Sequence, residues 1–234
     1  MATRTSWSSR LTRYRFSILL LALFLFLAIN PFFYAASDEI AASVFYVLTY
    51  SVVIGNLYTV THSPRSVIVG VVMLVTCVLL FLYMRITGDQ SVEVYIYLLV
   101  GLIWLYSSGS ILKAILRTRD VTIDTISGSV CVYLQIGLIW SVAFYFIETF
   151  IPGSFNFSAV PLDSPESSRI DFQIFTYYSF VTLTTLGYGE YLPVSPPARA
   201  FSYLETAVGQ VFLAVLVARL LGLHLARNDR FETE

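Results

Sequence analysis

Apolar positions in this chain come in long unbroken blocks, not in the stripes that mark one face of a soluble helix or strand. Five such blocks cover residues 16–34, 42–60, 66–84, 94–112 and 128–150, and a sixth, 200–223, is interrupted by Glu205 and Gln210. A helix that crosses a bilayer needs about 20 mostly apolar residues, so each block predicts a membrane span, and six spans put both termini on one side. Residues 151–199 break the pattern. Pro152-Gly153 ends the fifth helix, and a polar stretch follows from Ser154 to Arg169 with Pro161 and Pro165. Asp171 to Thr184 is apolar again, but at 1.5 Å per residue it covers only about 20 Å, too short to span. Asp171 suits the N-cap or first turn of that short helix. A short apolar helix with a glycine-rich return predicts a re-entrant loop, and such backbone at membrane depth must line a cavity or lie buried in protein.

Composition agrees: 57% of the 234 residues are hydrophobic and 12% charged, against about 25% charged in an ordinary soluble domain. The net charge of −1 and the lack of a basic patch outside the helix flanks give no indication of nucleic-acid binding. Cys77 and Cys131 both fall inside apolar blocks, which argues against a disulfide framework and against a cysteine metal site. The basic residues orient the chain. Arg4, Arg10, Arg13, Arg15, Arg65, Lys113, Arg117, Arg119, Arg219, Arg227 and Arg230, 11 of the 14 Lys and Arg, fall on the side of the termini. Only Arg85, Arg169 and Arg199 fall on the other, so the positive-inside rule makes both termini cytoplasmic. The basic start, apolar run and Tyr34-Ala35-Ala36-Ser37 also fit a cleaved leader, but the length of the run and bulky Pro31-Phe32-Phe33-Tyr34 favour a retained helix. The fourth span holds no Arg or Lys. Since one charge moved through about 100 mV yields only about 2.3 kcal/mol, steep voltage gating through it is not expected.

The return after the short helix reads Thr184-Thr185-Leu186-Gly187-Tyr188-Gly189-Glu190-Tyr191. Gly-Tyr-Gly alone occurs in many turns. Here it sits between an outer helix with a short re-entrant helix and a final span, and in that setting it resembles the T-V-G-Y-G filter loop of potassium channels. Residues 128–225 as a whole are similar to the pore module of the tetrameric pore-loop potassium channels, particularly the bacterial ones, and 179–190 carry most of the likeness. The resemblance implies an all-α membrane protein with six transmembrane helices, a re-entrant pore helix and a filter loop, assembled as a C4 homotetramer. Its expected parts are a four-helix region over 1–124, a pore domain over 125–226 and a short tail over 227–234. It implies K⁺ bound by the hydroxyl and carbonyl of Thr185 and the carbonyls of Leu186, Gly187 and Tyr188, with Gly189 closing the outer mouth. Leu186 replaces the usual Val or Ile, which leaves a carbonyl ligand unchanged. Thr184, Glu190, Tyr178 and Glu148 are expected to support the filter. Glu190 stands where Asp is usual, and Tyr177 and Tyr178 stand where many relatives carry a tryptophan pair whose donors reach the filter tyrosine. Val181 takes a position that is a carboxylate in some channels, so inactivation through such a group is not expected.

On the sixth span, Gly209 matches the family's hinge glycine, although small residues are also common where membrane helices pack. Gln210, Leu213, Val217 and Leu221 match cavity-facing positions. Glu205 is the acid inside this span, and intramembrane carboxylates usually face an interior. A bonded partner behind the pore helix fits it as well as an ion contact does. His62 and His224 are read as solvated. The expected activity is passive, potassium-selective conduction in a bacterial inner membrane, with K⁺ the only bound cofactor and with lipid and three further copies as partners. No small-molecule substrate is expected. A non-selective pore is disfavoured by the intact T-L-G-Y-G. A transporter is disfavoured because no internal repeat is visible, and an enzyme because HExxH, GxSxG and P-loop patterns are absent. About 12 residues follow the last span, too few for a ligand-binding module.

Overall fold

In a bilayer, a helix meets every backbone hydrogen bond inside its own segment, and the described parts of the apolar blocks are helical. The computed structural model describes residues 14–34, 52–56, 64–118, 122–157 and 172–232. In chain order these form α1 (Arg15–Tyr34), a helical turn at 52–56, α2 (Pro64–Thr87), a 3₁₀ turn (Gln90–Val92), α3 (Glu93–Arg117), α4 (Ile123–Phe150), β1 (Phe155–Phe157), α5 (Phe172–Leu183), β2 (Tyr191–Pro193) and α6 (Pro196–Glu232). Among the described residues, four stretches are long and apolar enough to cross a membrane: Gly70–Thr87, Glu93–Arg117, Ile123–Phe150 and Pro196–Arg219. The protein is an integral membrane protein. α1 is apolar over Arg15–Ile29. Of the expected span 42–60, only 52–56 lie among the described residues, and the Asp171 cap lies outside them.

The helix starts follow local chemistry. Pro64 and the pair Pro196-Pro197 occupy first-turn positions, where a missing N–H is harmless. The Ala198 N–H bonds Ser195 Oγ at 3.3 Å, a serine N-cap, so α6 begins at Pro196, ahead of the expected 200. It also continues to Glu232, and the tail expected beyond 226 is largely helical. A short antiparallel ribbon, with Asn156 opposite Leu192, accompanies the mostly helical architecture.

The chain forms two compact units, residues 1–135 with 219–234, and 136–218. In the first, α1 lies against the start of α4. Asp124 Oδ1 accepts the N–H groups of Phe16 (3.0 Å) and Ser17 (3.1 Å) and the Ser17 hydroxyl, which satisfies donors that the first turn of a helix leaves open. Leu19, Leu23 and Phe26 are buried. A Cβ on Gly128 would lie 3.0 Å from the Phe16 ring, so a glycine is what lets the two helices close. Deeper in this unit, Asn56 Oδ1 accepts from Ser107 Oγ (2.7 Å) and Gln135 Nε2 (2.5 Å), and Ser108 Oγ donates to Gln135 Oε1 (2.6 Å). Side-chain hydrogen bonds of this kind hold membrane helices together where lipid offers no hydrophobic drive between them. Arg219 Nη2 donates to the carbonyls of Ile115 (2.6 Å) and Thr118 (3.0 Å), placing a cation on the negative C-terminal end of α3. The second unit is built around Phe144, Phe155, Phe175 and Tyr178, whose rings meet edge to face at 5.0–5.7 Å.

Replacing Asp124 by Ala should lower stability by about 1–2 kcal/mol, the range of a lost N-cap. The check is thermal unfolding of the full chain in detergent; an unchanged midpoint would show that the Asp124 bonds contribute nothing.

Candidate functional site

The second unit holds every residue of the return loop. α5 has 12 residues, about 18 Å at 1.5 Å per residue, too short to cross a membrane. Where it ends, the chain folds back on its last turn. The N–H groups of Thr184, Thr185, Leu186 and Gly187 bond the carbonyls of Phe180, Thr182, Val181 and again Val181, at 3.1, 3.0, 2.9 and 3.3 Å. The donors are thereby used up on α5. Among the described residues, the carbonyls of Thr185, Leu186, Gly187 and Tyr188 receive no backbone hydrogen bond.

The backbone of this loop is unusual. Thr185 has φ 59°, Gly187 62° and Gly189 84°, while Leu186 and Tyr188 between them keep negative φ. A left-handed β-branched residue is rare, and holding one there costs on the order of 1–3 kcal/mol. A strand turns successive carbonyls to opposite sides; alternating handedness removes that alternation. From Thr184 to Gly189 every residue is exposed in the single chain, including the Tyr188 side chain.

Beyond the loop, Tyr191–Pro193 pairs with Phe155–Phe157, and Val194 N–H bonds the Ser154 carbonyl at 2.8 Å. Glu148, near the end of α4, accepts from Gly153 N–H (2.8 Å, Oε1) and Phe155 N–H (3.0 Å, Oε2). The carboxylate thus secures the turn that carries β1, and β1 carries the strand leaving the loop. Behind the loop, Tyr177, Tyr178, Val181, Tyr188, Glu190 and Tyr191 surround a small crevice. Tyr177 OH donates to Glu190 Oε1, and Tyr178 OH shares a 2.6 Å hydrogen bond with Ser202 Oγ on α6. Within one chain these phenols are bonded to Glu190 and Ser202. The longer Glu190 still reaches its tyrosine. The Tyr191 phenol is pushed up from its ordinary value, by burial first and the Glu190 carboxylate second.

α5 is seated between α4 and α6 by two glycines. A Cβ on Gly137 would lie 2.9 Å from the tip of the Phe180 ring, and one on Gly209 would lie 2.6 Å from Leu183 Cδ1 and 3.1 Å from the Leu183 carbonyl oxygen. Gly209 lies in a continuous stretch of α6 and packs closely against Leu183. Polar links reinforce the seat: Thr206 Oγ1 donates to the Thr182 carbonyl at 3.3 Å, and Ser179 bonds both the Gly137 carbonyl (2.7 Å) and Glu205 Oε1. Glu205 is wholly buried and is bonded behind α5. Gln210 and Val217 are exposed in the single chain, and Leu213 is half-buried. The sequence offered no signal for Gly137, Ser179 or Ser202, because each is an ordinary small residue inside an apolar helix.

Residues 132–223 match a family model described as "Ion channel". No curated protein matches the chain.

Gly209→Ala should destabilise the protein by about 1–3 kcal/mol through overpacking. Adding Leu183→Ala should return part of the loss, because the two sites are in contact. Strictly additive effects in a double-mutant cycle would show that the glycine is required for another reason.

Proposed function

We propose that this chain, whose residues 132–223 match the ion channel family model, is a pore-loop channel, that its passive ion conduction is selective for K⁺ and that four copies build the pore. The observation that carries this reading is the loop Thr185–Gly189: its alternating φ, and carbonyls that no backbone N–H among the described residues occupies. Four such loops would offer stacked rings of carbonyl oxygens in place of the ion's water shell, with ions in adjacent rings repelling one another onward. Thr185, Leu186, Gly187 and Tyr188 are the proposed K⁺ ligands, and Gly189 forms the outer rim. Glu190, Tyr178, Thr184 and Glu148 are the proposed supports. The Thr184 hydroxyl bonds the Phe180 carbonyl at 2.7 Å within the last turn of α5. The negative end of α5 points the helix dipole at the cavity where a hydrated cation waits.

One loop per chain cannot close a ring, so a C4 homotetramer is proposed. Its support is α6, which faces α5 along Ser202, Glu205, Thr206 and Gly209. Tyr203, Val208, Val211, Val215 and Val217 are left exposed in the single chain, and neighbouring copies and lipid would cover them. Gln210, Leu213 and Val217 are the proposed cavity residues. Six spans are proposed on a parity argument. Asp124 ties the start of α4 to the start of α1, so both starts lie on one side of the membrane. α1, α2 and α3 intervene, and a fourth crossing within 42–60 restores the count. Basic residue placement then puts both termini in the cytoplasm of a bacterial cell.

The test is flux through full-length protein in liposomes. K⁺ should permeate far better than Na⁺ and be blocked by Ba²⁺. Comparable permeabilities in bi-ionic reversal measurements would overturn the selective reading. Gly187→Ala should abolish selectivity or conduction. A Cβ there meets nothing within 4 Å in the single chain, and the obstacle is its φ of +62°.

A further inference from the structure

Glu205 is the sole acid in the membrane-crossing part of α6, and the conduction mechanism gives it no part. Its side chain and that of Ser179 are both 0% exposed. Three oxygens are linked in sequence: the Gly137 carbonyl on α4, the Ser179 hydroxyl on α5 and Glu205 Oε1 on α6. Ser179 Oγ lies 2.7 Å from the first and within hydrogen-bond reach of the third. Each of these oxygen–oxygen contacts needs a proton between its atoms. A serine hydroxyl carries one and a carbonyl none, so the second belongs to the Glu205 carboxyl. The Gly137 carbonyl also accepts from Ser141 Oγ at 2.8 Å, which again supplies no proton to the Glu205 contact.

A second observation points the same way. Glu205 Oε2 is buried and has no hydrogen-bond partner among the described residues. An ionised carboxylate would leave half its charge bare there, and a buried charge without a partner is far more costly than a neutral acid with one idle oxygen. The groups around it offer no counter-charge. α4 presents a carbonyl and the Ser141 hydroxyl, and α5 presents Ser179 and the Tyr178 phenol, which is engaged with Ser202. No cationic side chain among the described residues acts on Glu205.

We infer that Glu205 is a positioning residue that works as a neutral carboxylic acid, donating its proton to Ser179 and so tying α6 to α5 and, through Ser179, to the Gly137 carbonyl of α4. Resting on the potassium-filter reading, the consequence is that a proton on each chain helps hold the short helix that carries the filter. Removing it would strip Ser179 of a donor and create a charge with nothing to answer it. Conduction should then fall reversibly at alkaline pH in the wild-type protein and fall much less in Glu205→Gln.

The decisive experiment compares infrared spectra and K⁺ flux of the full-length protein in liposomes at neutral pH. The wild-type spectrum should contain the carbonyl stretch of a protonated carboxylic acid that is missing from Glu205→Gln. The glutamine amide can donate to Ser179 as the acid does, so this variant should keep flux within about twofold of the wild type. Ser179→Ala, which leaves the acid but removes its acceptor, should move the band to higher frequency. An absent band, a band unmoved in Ser179→Ala, or loss of neutral-pH flux in a folded Glu205→Gln would each overturn the inference. Non-selective flux with the band present and shifting as expected would support the acid and overturn the potassium reading alone.

Discussion

How closely α5 can approach the helices on either side of it governs the second unit. Gly137 on α4 and Gly209 on α6 give the short helix its room, since a methyl at either site would run into Phe180 or Leu183. With the backbones that close, a serine hydroxyl is long enough to bridge α4 to α6, and Thr206 can reach the Thr182 carbonyl. Packing without side-chain bulk is the usual way membrane helices bind tightly. Here it sets where α5 ends, and so where the loop after it begins.

The loop needs that rigidity. A threonine at φ 59° does not stay there by preference. Its N–H and those of its neighbours are tied to the last turn of α5 on one side, and the β1–β2 ribbon anchors the exit on the other. Glu148 secures the ribbon by holding two N–H groups at its base. Strain of a few kcal/mol survives when both ends of a segment are fixed by structure that is stable without it. The result is a loop fixed at both ends, whose carbonyls from Thr185 to Tyr188 receive no backbone hydrogen bond among the described residues.

The first unit uses a different means to the same end. Lipid is as apolar as leucine, so burial alone gives its helices little reason to associate. Asp124 on the first turn of α1, the Asn56–Gln135–Ser107–Ser108 set and Arg219 on the end of α3 supply directional links. Each polar group in these links is one that hydrocarbon would otherwise leave unsatisfied.

Much of this was determined by the sequence alone, for reasons that are local. Block length accounts for the four helical stretches of membrane-crossing length among the described residues, and the shorter run before Thr184 for a helix too short to cross. Gly187 and Gly189 permit the positive φ they adopt, and Ser195 with Pro196 marks where α6 starts, although the apolar pattern alone placed that start at 200. What only the tertiary structure decided concerns pairs of residues far apart in the chain. A membrane helix is apolar on all sides, so its pattern does not say which face meets protein; that Gly209 lies against Leu183 is visible only in the structure. Glu205 was visible as an unusual acid, but its meaning depended on Ser179 and Gly137, residues with no signature of their own. Thr185 gave no sign of its strain, because a left-handed threonine is imposed by what holds it at both ends and not by its own preference.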